Sequence, residues 1–204
     1  MAFNQAKVLA SRDYKVYVVD WDNDNAIPAD TVLYGTTWGT VGTMPAPWVE
    51  SGYVDGGLHF TSSVDRAEIR VDQELDPVLR PATGRDVRMS TNLAEFSPTN
   101  ILDATGQGAI TTVAAGVGTR GHSDWDLNST IAENYISLGF DIQHNGDDEA
   151  VRVIGWKGQV MGSPTLDFTA DNKAMIPLEV QLLPDTTVTP ARIAKIRDIE
   201  PMLP

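Results

Sequence analysis

Leu58-His59-Phe60-Thr61-Ser62-Ser63-Val64 and Val87-Arg88-Met89-Ser90-Thr91-Asn92-Leu93-Ala94 run on the same two-residue beat. In the first run Leu58, Phe60, Ser62 and Val64 share one parity; after a slip near Asp65, Ala67, Ile69 and Val71 share the other. In the second, Val87, Met89, Thr91 and Leu93 alternate with Arg88, Ser90, Asn92 and Ala94. Successive side chains of a strand point to opposite faces, so the beat predicts a hairpin with one apolar and one polar face. Between the runs stands Asp72-Gln73-Glu74-Leu75-Asp76-Pro77-Val78-Leu79-Arg80-Pro81, closed by Gly84. Hairpin loops usually run about 2 to 5 residues, so a loop over 72–86 is an arm rather than a turn. A solvated arm has little use for Leu75, Val78 and Leu79, and packing against a neighbouring subunit would use them. Phe96-Ser97-Pro98 then opens a short helix: Ser97 as N-cap, Pro98 as first residue, Phe96 placed to staple onto Ile101, Gly106 as the stop.

At these residues the chain resembles the major tail tube proteins of long-tailed bacteriophages. The matching order is a Gly-rich lead-in (Gly52-Tyr53-Val54-Asp55-Gly56-Gly57), a charged strand ending in Val71-Asp72-Gln73, a loop with Pro and Gly, a strand ending in Leu93-Ala94-Glu95, and a short helix. The likeness covers about a third of the chain by motif and the rest by strand order. It implies a β-sandwich with one flanking helix. Six copies would join their inner sheets into one large β-barrel ring, and stacked rings would form a hollow tube for DNA. It also implies ring-to-ring contacts through the arm, with Leu75, Val78, Leu79 and Arg80 as contact candidates. The polar parity of the hairpin would line the channel, with Glu68, Arg70, Arg88 and Asn92 as lumen candidates. Further partners implied are the tape measure protein and double-stranded DNA inside the tube, and tail terminator and tail tip or baseplate proteins at its ends. The location implied is the virion tail, assembled in the host cytoplasm.

Composition sets bounds without any family. The 204 residues suit a single domain, 1–204, with 1–13 as an N-terminal arm and 185–204 as a C-terminal arm. There are no cysteines, which excludes disulfides and thiolate metal sites. Met1-Ala2-Phe3-Asn4-Gln5-Ala6-Lys7 lacks the apolar run of a signal peptide, and no stretch reaches the ~20 apolar residues of a membrane helix. The net charge is −13, with an isoelectric point near 4.4. Such a surface repels nucleic acid; it serves solubility, and in a tube it would also keep phosphates from sticking to the wall.

Elsewhere, Tyr14 to Asp20 reads as a strand, as does Thr31 to Gly35. Asp20, Asp22 and Asp24 have the spacing of the first calcium-loop ligands, but Asn25 replaces the required Gly and Thr31 the bidentate Glu, so a polar turn is the better reading. Trp48 reads as an anchor packed on the sheet. Gly116 to Gly121 has the form of a dinucleotide fingerprint without the strand-to-helix context, and Gly106 to Gly121 reads as a flexible connection. Strands are predicted over Ile136–Ile142, Val151–Val160 and Ile176–Leu182, with Asn145-Gly146 as a hairpin turn. Pro177 favours an edge or a strand start. Residues 189–197 fit either a short helix or a strand.

No nucleophile elbow or phosphate-binding loop is present, and His59, His122 and His144 lack metal-site spacing. No cofactor, metal or catalytic residue is assigned, and the chain reads as a non-enzyme. The fold expected is all-β, a sandwich or partly closed barrel with one short helix. Two other classes fit the same features. One is another tail ring protein, a terminator or hub. The other is a carbohydrate-binding or hydrolytic sandwich using Trp21, Trp38, Trp48, Trp125 and Trp156 as stacking platforms.

Overall fold

A computed structural model of the chain describes residues 11–21, 48–127, 134–144, 150–161, 164–166 and 175–199. In order these form β1 (Ser11–Asp20), β2 (Val49–Glu50), β3 (Val54–Arg66), β4 (Ala82–Leu93), α1 (Pro98–Thr105), β5 (Ala109–Val113), β6 (His122–Asp126), β7 (Tyr135–His144), β8 (Ala150–Val160), β9 (Ile176–Leu183) and β10 (Ala194–Ile199). The expected all-β class with one short helix is what forms. One antiparallel sheet runs β2-β1-β7-β8-β9-β4-β3, with β10 also beside β8; β5 and β6 make a separate ribbon. The large sheet is sandwich-like and does not close into a barrel.

The turnover between layers lies in β8. Its residues 150–155 pair with β10, and 157–160 pair with β9. Its register with β7 slips between Ile136 and Leu138. Gly155 and Gly158 stand at this change. A Cβ on Gly155 would fall 2.5 Å from Leu182 Cδ2, and one on Gly158 would fall 2.2 Å from Val180 Cγ1. Only glycine lets β9 side chains press this close to the bending strand.

The main core lies between the halves. Val16, Val18, Leu138, Phe140 and Val153 come from one; Met89, Leu93, Leu178 and Val180 come from the other; Ile101 and Ala104 of α1 join them. A second cluster of Tyr17, Val19, Trp48, Ile154 and Trp156 occupies the reverse face of β1 and β8. These strands are therefore covered on both sides, which is why Val16 to Val19 are all buried. Trp48 is the anchor its sequence suggested.

The helix is capped as its residues predict. Ser97 Oγ accepts from the Asn100 N–H at 3.1 Å, Pro98 is the first residue, and Gly106 at φ +63° donates its N–H to the Leu102 carbonyl. Phe96 is half exposed, whereas Ile101 lies in the core.

Several boundaries move. Residues 11–13 belong to β1 rather than to an arm. β4 starts at Ala82, so the second half of the 72–86 loop is partly strand. The supposed flexible connection is the β5–β6 ribbon, with Gly116 and Thr119 bridging its tip. The fingerprint thus sits in a hairpin turn, not at a helix N-terminus. The C-terminal arm is tied down: Asp185 bridges Arg192, and β10, the strand option for 189–197, pairs with β8. β9 is interior, and Pro177 stands near its start, where only β4 pairs with it; pairing to β8 begins at Val180. Residues 1–10, Asp22, Asp24, Thr31–Gly35, Trp38, the Asn145-Gly146 turn and 200–204 lie outside the described residues.

Candidate assembly surfaces

The hairpin of β3 and β4 continues past the sheet as an ordered arm. Ala67 N–H donates to the Pro81 carbonyl at 3.1 Å, Ile69 N–H donates to Leu79 at 2.9 Å, and Val78 N–H donates back to Ile69 at 2.9 Å. Glu74 N–H donates to Val71 at 3.1 Å, turning the tip. Backbone pairing therefore holds the arm in shape while its side chains stay in water. Ile69, Val71, Val78 and Leu79 are exposed, and Leu75 at the tip is 98% exposed. Burying a large aliphatic side chain is worth about 1.5–3 kcal/mol, and the arm forgoes this at five positions along a short segment.

Charge completes the arm. Glu68 pairs with Arg70 at 3.0 Å and with Arg80 at 2.8 Å, so one carboxylate ties both strands of the arm together. Two lumen candidates, Glu68 and Arg70, thus stand in the arm with the contact candidate Arg80. They are not on the sheet face that carries the other two.

That face is formed by the outward residues of β4 and β9. Arg88 pairs with Asp86 at 2.8 Å and Glu179 at 3.2 Å, and Gln181 Nε2 donates to Asp86 Oδ1 at 3.1 Å. Hydrogen bonds donated to Asp86 first, then to Glu179, push the Arg88 guanidinium further up. Asn92 lies on the same parity, between Pro177 on β9 and Asp55 on β3. Among these groups carboxylates outnumber cations, giving a polar face of acidic balance. Val87, Met89, Thr91 and Leu93 on the opposite parity are buried, as the alternation predicts.

Other polar groups serve the body. Asp141 and Arg152 face each other across β7 and β8 in a bidentate pair, each side chain 1% exposed. Asp185 is buried; burial pushes its carboxyl up, but hydrogen bonds from Thr187 and Arg192 outweigh that and hold it below the usual range. Arg192 also stacks 4.0 Å above the Trp156 ring. Sequence reading missed this clasp, because its two halves meet only through the turn between them.

Asp103 of α1 lies between two shallow depressions of about 280 and 430 Å³, one bearing Glu50 and Glu95, the other Asp20 and Tyr135. Burial first, then the charge of Asp20, raises its carboxyl to about 7. Among the described residues no group of three or more His, Asp or Glu is placed to hold a metal ion, and no helix is long and apolar enough to cross a membrane. Trp48 and Trp156 are buried and offer no stacking platform, and Trp125 Nε1 donates to the Gln107 carbonyl at 2.9 Å. His59 is exposed on β3. No protein-family model matches this sequence, and no curated protein matches it.

Proposed function

We propose that the chain is a structural subunit that assembles with copies of itself into stacked hexameric rings, forming a phage tail tube that conducts DNA. The observation that carries this reading is the arm: an ordered hairpin extension presenting Ile69, Val71, Leu75, Val78 and Leu79 that its own chain leaves uncovered. A surface of that kind is completed by a partner. The resemblance of the sequence to tail tube proteins supports identical copies above and below as that partner.

In this reading the arm, fixed by Glu68, Arg70 and Arg80, docks on the adjacent ring. The polar face with Arg88, Asn92, Asp86 and Glu179 is the channel wall, where an acidic balance repels phosphate and lets DNA and the tape measure protein slide. Terminator and tip proteins would meet the free ends, and the site of action would be the virion tail.

Negative-stain microscopy of the purified chain tests it. Hollow filaments are expected, and deleting residues 75–81 should abolish them while leaving the far-ultraviolet spectrum unchanged. Single rings alone would support a terminator or hub instead. Normal filaments from the deletion variant would refute the stacking role.

A further inference from the structure

We propose that residues 98–126, helix α1 with the β5–β6 ribbon packed on it, form a proton-gated latch. The latch sits closed on the sheet while the Asp103 carboxyl is neutral, and it opens when that carboxyl ionises. This goes beyond the self-assembly reading and does not rest on it, because the opening takes place within one chain. The three elements are consecutive in the chain and stand apart from the large sheet. α1 packs on both ribbon strands, the two strands pair with each other, and Trp125 of β6 donates to the Gln107 carbonyl just past the helix. Ile101 and Ala104 tie the unit to the core. Asn100 Nδ2 donates to the Ser51 carbonyl at 3.0 Å, and Asn134 Nδ2 donates to the Gly106 carbonyl at 3.3 Å.

Charge works against these ties. Asp103 lies on the same helix, half-buried between the two depressions. Glu50 of β2 and Glu95 line the first with it; Asp20 of β1 and the Tyr135 phenol of β7 line the second. Among the described residues no Lys or Arg lines either one, and β5, β6, β8 and β9 place no ionisable side chain there. Glu50 has Lys15 at 3.6 Å, but among the described residues Asp103 has no ion pair and accepts no hydrogen bond. A carboxylate half out of water, facing another carboxylate and lacking a cation, is held only at a cost. Burial first, then Asp20, accordingly holds this carboxyl up at about 7. Opening returns Asp103 to water, where an Asp ionises near about 3.9. The opened form therefore sheds a proton that the closed form keeps. Each pH unit from about 4 to 7 raises the opened population by up to about tenfold, and the rise levels off above 7.

Amide exchange of the dilute chain in low denaturant, at pH 5 and pH 8 and corrected for the intrinsic rates, tests the latch. Protected amides of α1, β5 and β6 should lose about tenfold or more of their protection at pH 8. They should exchange through an opening less sensitive to denaturant than the one that frees β7 and β8, because less surface is exposed. In Asp103→Asn, which matches the neutral acid in shape, the loss should vanish. In Asp20→Asn, a change at an exposed position, it should shrink without vanishing, since burial is the larger cause. Protection of 98–126 that ignores pH, or that falls just as far in Asp103→Asn, overturns the gating. Exchange of 98–126 with the denaturant dependence of β7 and β8 at both pH values overturns the latch, since the helix would then leave only with the whole body.

Discussion

Asp141–Arg152 and Glu68–Arg80 are the same chemistry in two places, a carboxylate and a guanidinium across paired segments of antiparallel chain. In the first, each side chain is 1% exposed; in the second the values are 41% and 59%. What differs is what lies above them. The body around β1, β7 and β8 is covered on both faces by its own chain, so its polar pair is locked in a dry interior. The arm beyond β3 and β4 has the backbone order of a strand pair and an aliphatic surface to match, yet none of the described residues covers that surface. The body buries its own apolar surface, whereas the arm leaves Ile69, Val71, Leu75, Val78 and Leu79 exposed.

The largest effects should fall on the body. Asp141→Ala would leave Arg152 buried without its carboxylate, and should cost about 3–5 kcal/mol in denaturant unfolding. Phe140→Ala, at a fully buried position, should cost a similar 3–5 kcal/mol through the cavity it leaves. A loss below about 1 kcal/mol for either would mean that the body is not sealed as described.

The next effect depends on pH. The Asp103 carboxyl titrates near 7 when folded, held up by burial and then by Asp20, against about 3.9 in the unfolded chain. Between these values the folded chain holds a proton that the unfolded chain has released. The stability from neutral Asp103 is therefore complete below about pH 4 and is lost as pH rises through 7. Asp103→Asn should gain roughly 2–4 kcal/mol over the native chain at pH 8 and little at pH 4. An equal difference at both pH values would contradict the assignment.

The smallest stability effects should fall on the arm. Glu68→Ala breaks two exposed pairs and should cost under about 1 kcal/mol. Leu75→Asp should change unfolding by no more than about 0.5 kcal/mol, yet it should prevent filaments. A stability loss at Leu75 comparable to that at Phe140 would erase the distinction between the two regions.

The same contrast explains what the sequence disclosed. β4 was legible because Val87, Met89, Thr91 and Leu93 face the core and their neighbours do not, so burial wrote a period of two. β3 carries that period on through Phe60 and Val64, where the single chain buries neither. The helix was legible because Ser97, Pro98 and Gly106 act locally. The β5–β6 ribbon was hidden: it is exposed over most of its length, so no alternation marked it, and Gly-rich flanks suggested slack chain. The β-branched run Ile110-Thr111-Thr112-Val113 was the available signal. Asp141–Arg152 and Asp185–Arg192 could not be read, because each depends on a register that only the folded chain sets. Glu68 and Arg70 shared the parity of a wall residue, but the end of the sheet at Arg66 put them in the arm instead.

Amide hydrogen exchange across a concentration series tests the central claim most directly. At low concentration, arm amides of 66–81 outside its backbone pairs should exchange fast while those of β1, β7 and β8 stay protected. As assembly proceeds, protection should rise in the arm and stay constant in the body. An arm whose unpaired amides are as protected as the body in the isolated chain, or one that gains nothing at any concentration, would contradict it.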